Sequence, residues 1–319
     1  MKTAPDPPTD ETSHSSVMLE ETVSYLNPRP GKIYVDATLG MGGHSEAILS
    51  SVDGVKVIGI DSDPDSVEAA KKRLERFGER IEIVNSNFTG IEEAARSCGA
   101  LAVDGIIADL GISSRQLEGS GRGFSFTADE PLDMRMNPAS GETAADIVNT
   151  LPARELAGII KKYGEEKFAS KIANAIARSR EEKPLETARE LALIVAGSIP
   201  VKFHPPRTHP ATRVFQALRI HVNDEISSLE IFLQKAVPLL SAGSRIVIIS
   251  FHSLEDRVVK RAFNLMNAAC ICPPELPMCG CGKSQILKVI ERKPVLPGAS
   301  EVRRNPRARS SKMRVAEKI

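Results

Sequence analysis

No run of eighteen apolar residues occurs in the 319-residue chain, so it offers no helix long enough to cross a bilayer. Its first sixteen residues, MKTAPDPPTDETSHSS, have neither a basic start nor an apolar stretch. A secretory signal is therefore not expected, and the expected compartment is the cytoplasm. Net charge is nearly absent: 42 Lys+Arg against 41 Asp+Glu leave +1, too little for a protein that coats nucleic acid by bulk attraction. Cysteine is scarce. Four of the five, Cys270, Cys272, Cys279 and Cys281, crowd into one segment and Cys98 stands alone, which excludes the distributed disulfide framework of a small secreted protein. The six histidines show no HxxxH or similar metal-binding spacing.

What is present is the composition of a soluble globular protein, 41% hydrophobic and 26% charged, with enough chain for one large domain or two modest ones. Charge is unevenly placed. Residues 1–21 hold one base and five acids, whereas residues 301–319 hold seven bases and two acids, so a polyanion-facing patch is expected to include the C-terminus.

Residues 1–16 read as a flexible leader and residues 17–28 as a short helix stopped at Asn27-Pro28. Strands are expected at Ile33–Ala37, Val55–Asp61, Ile81–Asn85 and Val103–Asp109, with helices between them. That alternation predicts an α/β fold: a doubly wound, Rossmann-like sheet with its site at the strand C-termini. After Asp109 comes a Gly-, Ser- and Arg-rich loop over 110–136, and from Thr143 to about Ala196 every periodic run is helical. An all-helical subdomain, 137–209, is therefore expected as an insert in a sheet domain formed by 17–136 and 210–319. Arg245–Ser250 resumes the strand pattern, and an edge strand or hairpin arm is expected within 284–299.

The first βα turn, Gly40-Met41-Gly42-Gly43, lets backbone approach a ligand closely. Asp61, twenty-one residues beyond Gly40 and at the end of the second strand, stands where a carboxylate accepts both hydroxyls of a ribose. Glycines needed only for the turn, beside solvated strand-end acids, are the plain alternative. GxGxxG is absent, and Asp36 beside the loop suits a positively charged nucleoside cofactor better than a pyrophosphate, or else caps the loop. Three more segments are unusual for scaffold: Asp109 through Ser114, Arg122-Gly123-Phe124-Ser125-Phe126 with Pro131 through Met136, and Ile249 through Arg257. Phe124 and Phe126 either anchor their loop or stack on a base, and His252 either bonds neighbouring backbone or faces the site. The CxC pairs differ from the CxxC that zinc prefers, so reduced thiols and no metal are expected.

At these segments the chain resembles the bacterial S-adenosylmethionine-dependent methyltransferases that modify the exocyclic N4 of a cytosine in small-subunit ribosomal RNA. The resemblance spans 14–319. It is carried by His14 with Val17-Met18-Leu19, Asp36 through Ser45, Gly59-Ile60-Asp61 and Asp104 through Ser114. Further blocks are Arg122 through Phe126, Pro131 through Met136, Tyr163 through Glu166 and His209 through Arg213 with Phe215-Gln216-Ala217. Ser250 through Arg257 and Asn305 through Ser310 complete it.

The resemblance implies S-adenosylmethionine as cofactor, held by Gly42, Gly43, His44, Asp61, Phe88, Asp109 and Gln116. Met41 departs from the family's usual glycine or arginine, and Arg115 from its frequent proline. Asp109 is the expected catalytic acceptor for the amino group, which needs its N–H groups held while positive charge develops. The Asp/Asn-Pro-Pro-aromatic motif of DNA amino-methyltransferases is replaced here by Asp-Leu-Gly-Ile, so the stacking aromatic is sought among Phe124, Phe126 and Phe251. With His252, the arginines Arg122, Arg135, Arg207, Arg213, Arg257, Arg303, Arg304, Arg307 and Arg309 are the expected RNA contacts. Intramolecular pairing with acids is the alternative for those of the tail. The implied partner is 16S rRNA in the small subunit or its assembly intermediate, with no membrane; a homodimer is compatible with the sequence. The competing function is a non-catalytic RNA-binding or assembly factor, which would have no use for Gly42, Gly43, Asp61 and Asp109 together.

Overall fold

A computed structural model describes residues 16–113, 116–117, 120–126, 129–206, 208–273 and 280–319. Strands β1 (Ile33–Asp36), β2 (Lys56–Asp61), β3 (Ile81–Asn85), β4 (Val103–Asp109), β5 (Leu240–Ser250), β6 (Leu287–Val289) and β7 (Lys312–Lys318) lie in one sheet in the order β3-β2-β1-β4-β5-β7-β6. The pairs from β3 to β5 are parallel, while β7 runs antiparallel between β5 and β6. Helices α1 (Leu19–Leu26), α2 (Gly43–Ser51), α3 (Pro64–Leu74) and α4 (Ile91–Ser97) accompany the first strands.

The central strands are apolar on both faces because both are covered, as parallel sheets require. Ile106, Ala108, Ile246 and Ile248 point to one core, while Ile107, Val247 and Ile249 point to the opposite one. The first core is closed by α4, by α10 (Glu225–Leu239) and by α11 (Ser253–Asn267). The second is closed by α1, α2 and α3.

Helices α5 (Ala144–Thr150), α6 (Ala153–Gly164), α7 (Ala169–Glu182), α8 (Ala188–Ser198) and α9 (Thr212–Val222) build a third core of their own. Threonine capping boxes start α5 at Thr143 and α8 at Thr187, satisfying backbone donors that a helix start otherwise leaves open. This core also takes in Phe124, Leu132, Met134 and Ala211. The packing therefore extends the helical unit on both sides of the expected 137–209. The reason is that Phe124, Leu132 and Met134 of the 110–136 loop bury their apolar side chains against the helices.

The edge strand expected within 284–299 is β6, and β5 begins earlier than the expected Arg245. Strand β7 was not expected at all. Its sequence KMRVAEK reads as a basic tail, yet Met313, Val315 and Ala316 are buried, and Arg314 is neutralised by Asp256 at 2.6 Å.

Candidate active site

Strand β1 has β2 on one side and β4 on the other, so the winding direction reverses there and a crevice opens beyond the carboxyl ends of those strands. Each of the three strands ends in an aspartate: Asp36, Asp61 and Asp109. They do different work.

Asp36 is fully buried and caps the glycine loop. Its carboxylate accepts from the Ser45 hydroxyl at 2.7 Å and from the Thr38 backbone N–H at 3.3 Å. Burial pushes its pKa up against the opposing influence of His44 and these donors. Asp61 binds the same loop from the other side, accepting from Gly40 N–H and Asp63 N–H, each at 2.8 Å. Burial raises its carboxyl to about 6, even though both N–H groups favour the charged form. Each oxygen keeps a further lone pair, which is the acceptor capacity a ribose diol needs. Gly42 sits at φ 81° directly before α2, and a Cβ there would lie 2.9 Å from Leu74 Cδ1; only glycine fits both constraints.

Asp109 lies at the centre. Its backbone N–H donates to Thr38 Oγ1 at 2.6 Å, fixing the end of β4 against the loop after β1. Its Oδ2 is 3.3 Å from Nε2 of His44, an ion-pair separation without hydrogen-bond alignment, and its Oδ1 has no partner among the described residues. His44, buried in the first turn of α2, is disfavoured as a cation by burial, but the carboxylates of Asp109, Asp36 and Glu301 outweigh this and raise its pKa above the ordinary value. Glu301 arrives from α12 (Ala299–Arg304) and accepts from Met18 N–H at 2.6 Å, so a late segment of the chain is tied to the start of α1.

Asp63 is the member that sequence reasoning missed. It caps α3 through Asp65 N–H, and its Oδ2 accepts from Gln116 at 2.9 Å and from Arg122 at 2.6 Å. Arg122 also donates to the carbonyls of Arg135 and Met136. One buried carboxylate thus ties the second strand's loop to the 110–136 loop. The signal was available as Asp63-Pro64, an N-cap with proline at the first helical position.

The expected RNA-facing residues fare unevenly. Arg122 is a buried structural ion pair rather than a phosphate contact. Phe124 is only 6% exposed within the helical core, so it anchors its loop and does not stack on a base. Phe126 packs between His209, with centroids 4.6 Å apart, and Phe215 at 5.2 Å. Phe88 meets Phe232 edge-on at 5.2 Å. Phe251 borders the crevice opposite Gly111, where a Cβ would be 3.6 Å from its ring.

His252 caps α11 and pairs with buried Glu255 at 3.2 Å. Burial pushes Glu255 up, but His252, Arg219 and the Phe251 N–H outweigh it and hold its carboxyl below the usual range. Glu225, His252 and Glu255 cluster closely enough for a metal, but Arg219 forks onto Glu225 at 2.7 and 2.8 Å and fills that role with its own charge. Arg135 is forked onto Asp133. Arg257 pairs with Glu165 at 3.0 Å, and Arg213 is 3.8 Å from Glu166; both arginines remain more than half exposed. Arg303, Arg304 and Arg309 are exposed, and Arg307 is half-buried. His14, Ser114, Arg115, Arg207 and Cys279 lie outside the described residues. No helix among those described is long and apolar enough to cross a membrane.

The MraW methylase family matches residues 11–319. A protein of Carboxydothermus hydrogenoformans named ribosomal RNA small subunit methyltransferase H is 52% identical over 97% of this chain and 99% of its own length. Proteins of the same name from a Geobacter species, 49% identical over 97% of this chain and 100% of their own length, and from Geotalea uraniireducens, 50% identical over 96% and 98%, are also similar.

Proposed function

The chain belongs to the MraW methylase family, and on that premise we propose that Asp109 is the group on which its methyl transfer turns. The protein is an S-adenosylmethionine-dependent rRNA methyltransferase that acts on the exocyclic N4 of a cytosine in 16S rRNA. Its α/β Rossmann-like sheet with added helices is the fold of that family.

The cofactor fits the residues present. Gly42 turns the loop into α2 and Gly43 opens that helix, presenting backbone to the cofactor, Asp61 offers lone pairs to a ribose, and Phe88 lies on the adenine side. His44, Asp109 and Gln116 complete the lining. When bound, S-adenosylmethionine supplies an electrophilic methyl group.

Asp109 carries the rest. A cytosine amino group is a weak nucleophile because its lone pair is delocalised into the ring. An acceptor on its N–H groups helps the nitrogen rehybridise and stabilises the positive charge that grows on it. The observation that supports this role most is the buried Asp109 Oδ1, which has no partner among the described residues, a costly state unless a ligand N–H fills it. Oδ2 stays beside His44, so the carboxylate is oriented before substrate arrives. The amino proton becomes acidic only as the new C–N bond forms, so no strong base is needed beforehand. Phe251 flanks the base, and Arg213, Arg257, Arg304, Arg307 and Arg309 hold the RNA backbone, His252 capping the helix that carries Arg257, while Arg135 is held by Asp133.

In this reading the sheet and the helices packed on it form the methyltransferase domain, and the helical unit, which takes in Phe124 and α9 beside 137–209, widens its RNA-facing surface. A homodimer is a further part of the reading, checked by sedimentation equilibrium. Labelled methyl transfer to deproteinised RNA, small subunits and DNA in parallel, followed by nucleoside analysis, tests the activity. Label in N4-methylcytosine from rRNA supports it, and label only in DNA overturns it.

A further inference from the structure

In the segment joining α11 to β6, the described residues 268–273 and 280–286 form neither helix nor strand, and Ile271 is 59% exposed. Backbone anchoring comes at the far end, where Ile286 N–H donates to the Met266 carbonyl at 2.8 Å. Yet Cys270, Cys272 and Cys281 converge, with each pair of Sγ atoms within 4.8 Å. Cys281 and Cys270 are 3.7 Å apart, far beyond a disulfide bond and close to the roughly 3.8 Å edge between two thiolates on one tetrahedral zinc with Zn–S near 2.3 Å.

A second observation points the same way. The backbone N–H of Cys272 donates to Cys270 Sγ at 3.3 Å, a hydrogen bond that favours the thiolate, the form that binds metal. The spacing argument against zinc concerned chelation within one CxC pair. Here the two sulfurs of that pair already converge with the Cys281 sulfur, so the CxC spacing does not keep the three donors apart.

We propose that Cys270, Cys272 and Cys281 bind a structural zinc ion. It ties the two described arms of the connection, 268–273 and 280–286, to each other. Thiolate ligands select zinc over harder divalent cations. The fourth position goes to solvent or to a donor outside the described residues, and the assignment does not depend on which. The site stands apart from the Asp109 crevice and takes no part in methyl transfer.

The test uses the full chain purified under reducing, chelator-free conditions. Metal analysis should find about one zinc per chain, as a structural site implies, released by a thiol-blocking mercurial. Cys270→Ser/Cys272→Ser should lose it, and Cys98→Ser should keep it. Because the double variant could misfold, the unaltered protein is also stripped and titrated with cobalt(II) alone. Intense visible ligand-field bands with a sulfur-to-cobalt charge-transfer band support the thiolate site. Absence of both zinc and these bands, zinc retained in a folded double variant, or a Cys270–Cys281 disulfide formed under the same reducing conditions would overturn it.

Discussion

His44 Nε2 stands 3.3 Å from Asp109 Oδ2, across the gap between the first turn of α2 and the end of β4. A buried imidazole and a half-buried carboxylate thus meet where a methyl donor and acceptor must also meet. Since carboxylates outweigh burial and raise the His44 pKa, the folded protein holds this proton more tightly than the unfolded chain. The stabilisation is complete below the unfolded value of 6.5 and is lost as pH rises through the higher folded value. The melting deficit of His44→Gln against the parent should therefore be largest in mild acid and shrink toward alkaline pH. A deficit that grows with pH contradicts the pairing.

Asp61 makes a separate prediction. Its carboxyl, raised to about 6 by burial, accepts hydroxyl protons best when ionised, so S-adenosylmethionine affinity should improve as pH rises through that value. The change is at most about tenfold per pH unit below it. Asp61→Ala should cost roughly 1 to 3 kcal/mol of binding and abolish this pH dependence. Calorimetry at several pH values reads both; unchanged affinity in a folded variant removes Asp61 from the ribose role.

Arg122 should behave as a structural residue. It pairs with Asp63, both side chains being well buried, and breaking such a pair leaves an uncompensated charge worth about 3 to 5 kcal/mol. Arg122→Ala should lower the melting temperature sharply. Arg122→Lys should not recover it, because lysine cannot fork between Asp63 and the carbonyls of Arg135 and Met136. Normal melting with weakened RNA binding would return Arg122 to the phosphate contacts.

How far the sequence reveals this arrangement depends on whether neighbouring residues carry the signal. Strands β1 to β4 alternate with amphipathic helices, so their order, the crevice and the three strand-end aspartates are legible from spacing. Strand β7 is not, because Lys312 and Arg314 look solvated until Asp256, distant in sequence, is seen beside both. Phe124 is ambiguous for a similar reason. An aromatic in a Gly- and Arg-rich loop looks like a stacking platform, and only the packing of the inserted helices reveals its burial. Asp63 bore a visible cap signal, but its role as a tie between two loops is a tertiary fact.

The tail divides into two functions that a pair of variants separates. Arg304→Ala/Arg309→Ala, at two exposed positions, should weaken RNA binding and flatten its salt dependence, each lost phosphate contact removing less than about one unit of slope, with the melt nearly unchanged. Arg314→Ala should do the opposite, because its 2.6 Å pairing with Asp256 lies at the base of β7. An unaltered salt slope in the double variant contradicts the phosphate role.

The central claim is that Asp109 holds the reacting amino group, and Asp109→Asn tests it most directly. Single-turnover methylation and RNA filter binding are measured on the same preparation, with cofactor binding as a check. The account predicts a rate loss of roughly a hundredfold or more, the scale of one lost transition-state contact, with RNA affinity changed far less. Equal losses in rate and RNA affinity would contradict it and make Asp109 a binding or folding residue.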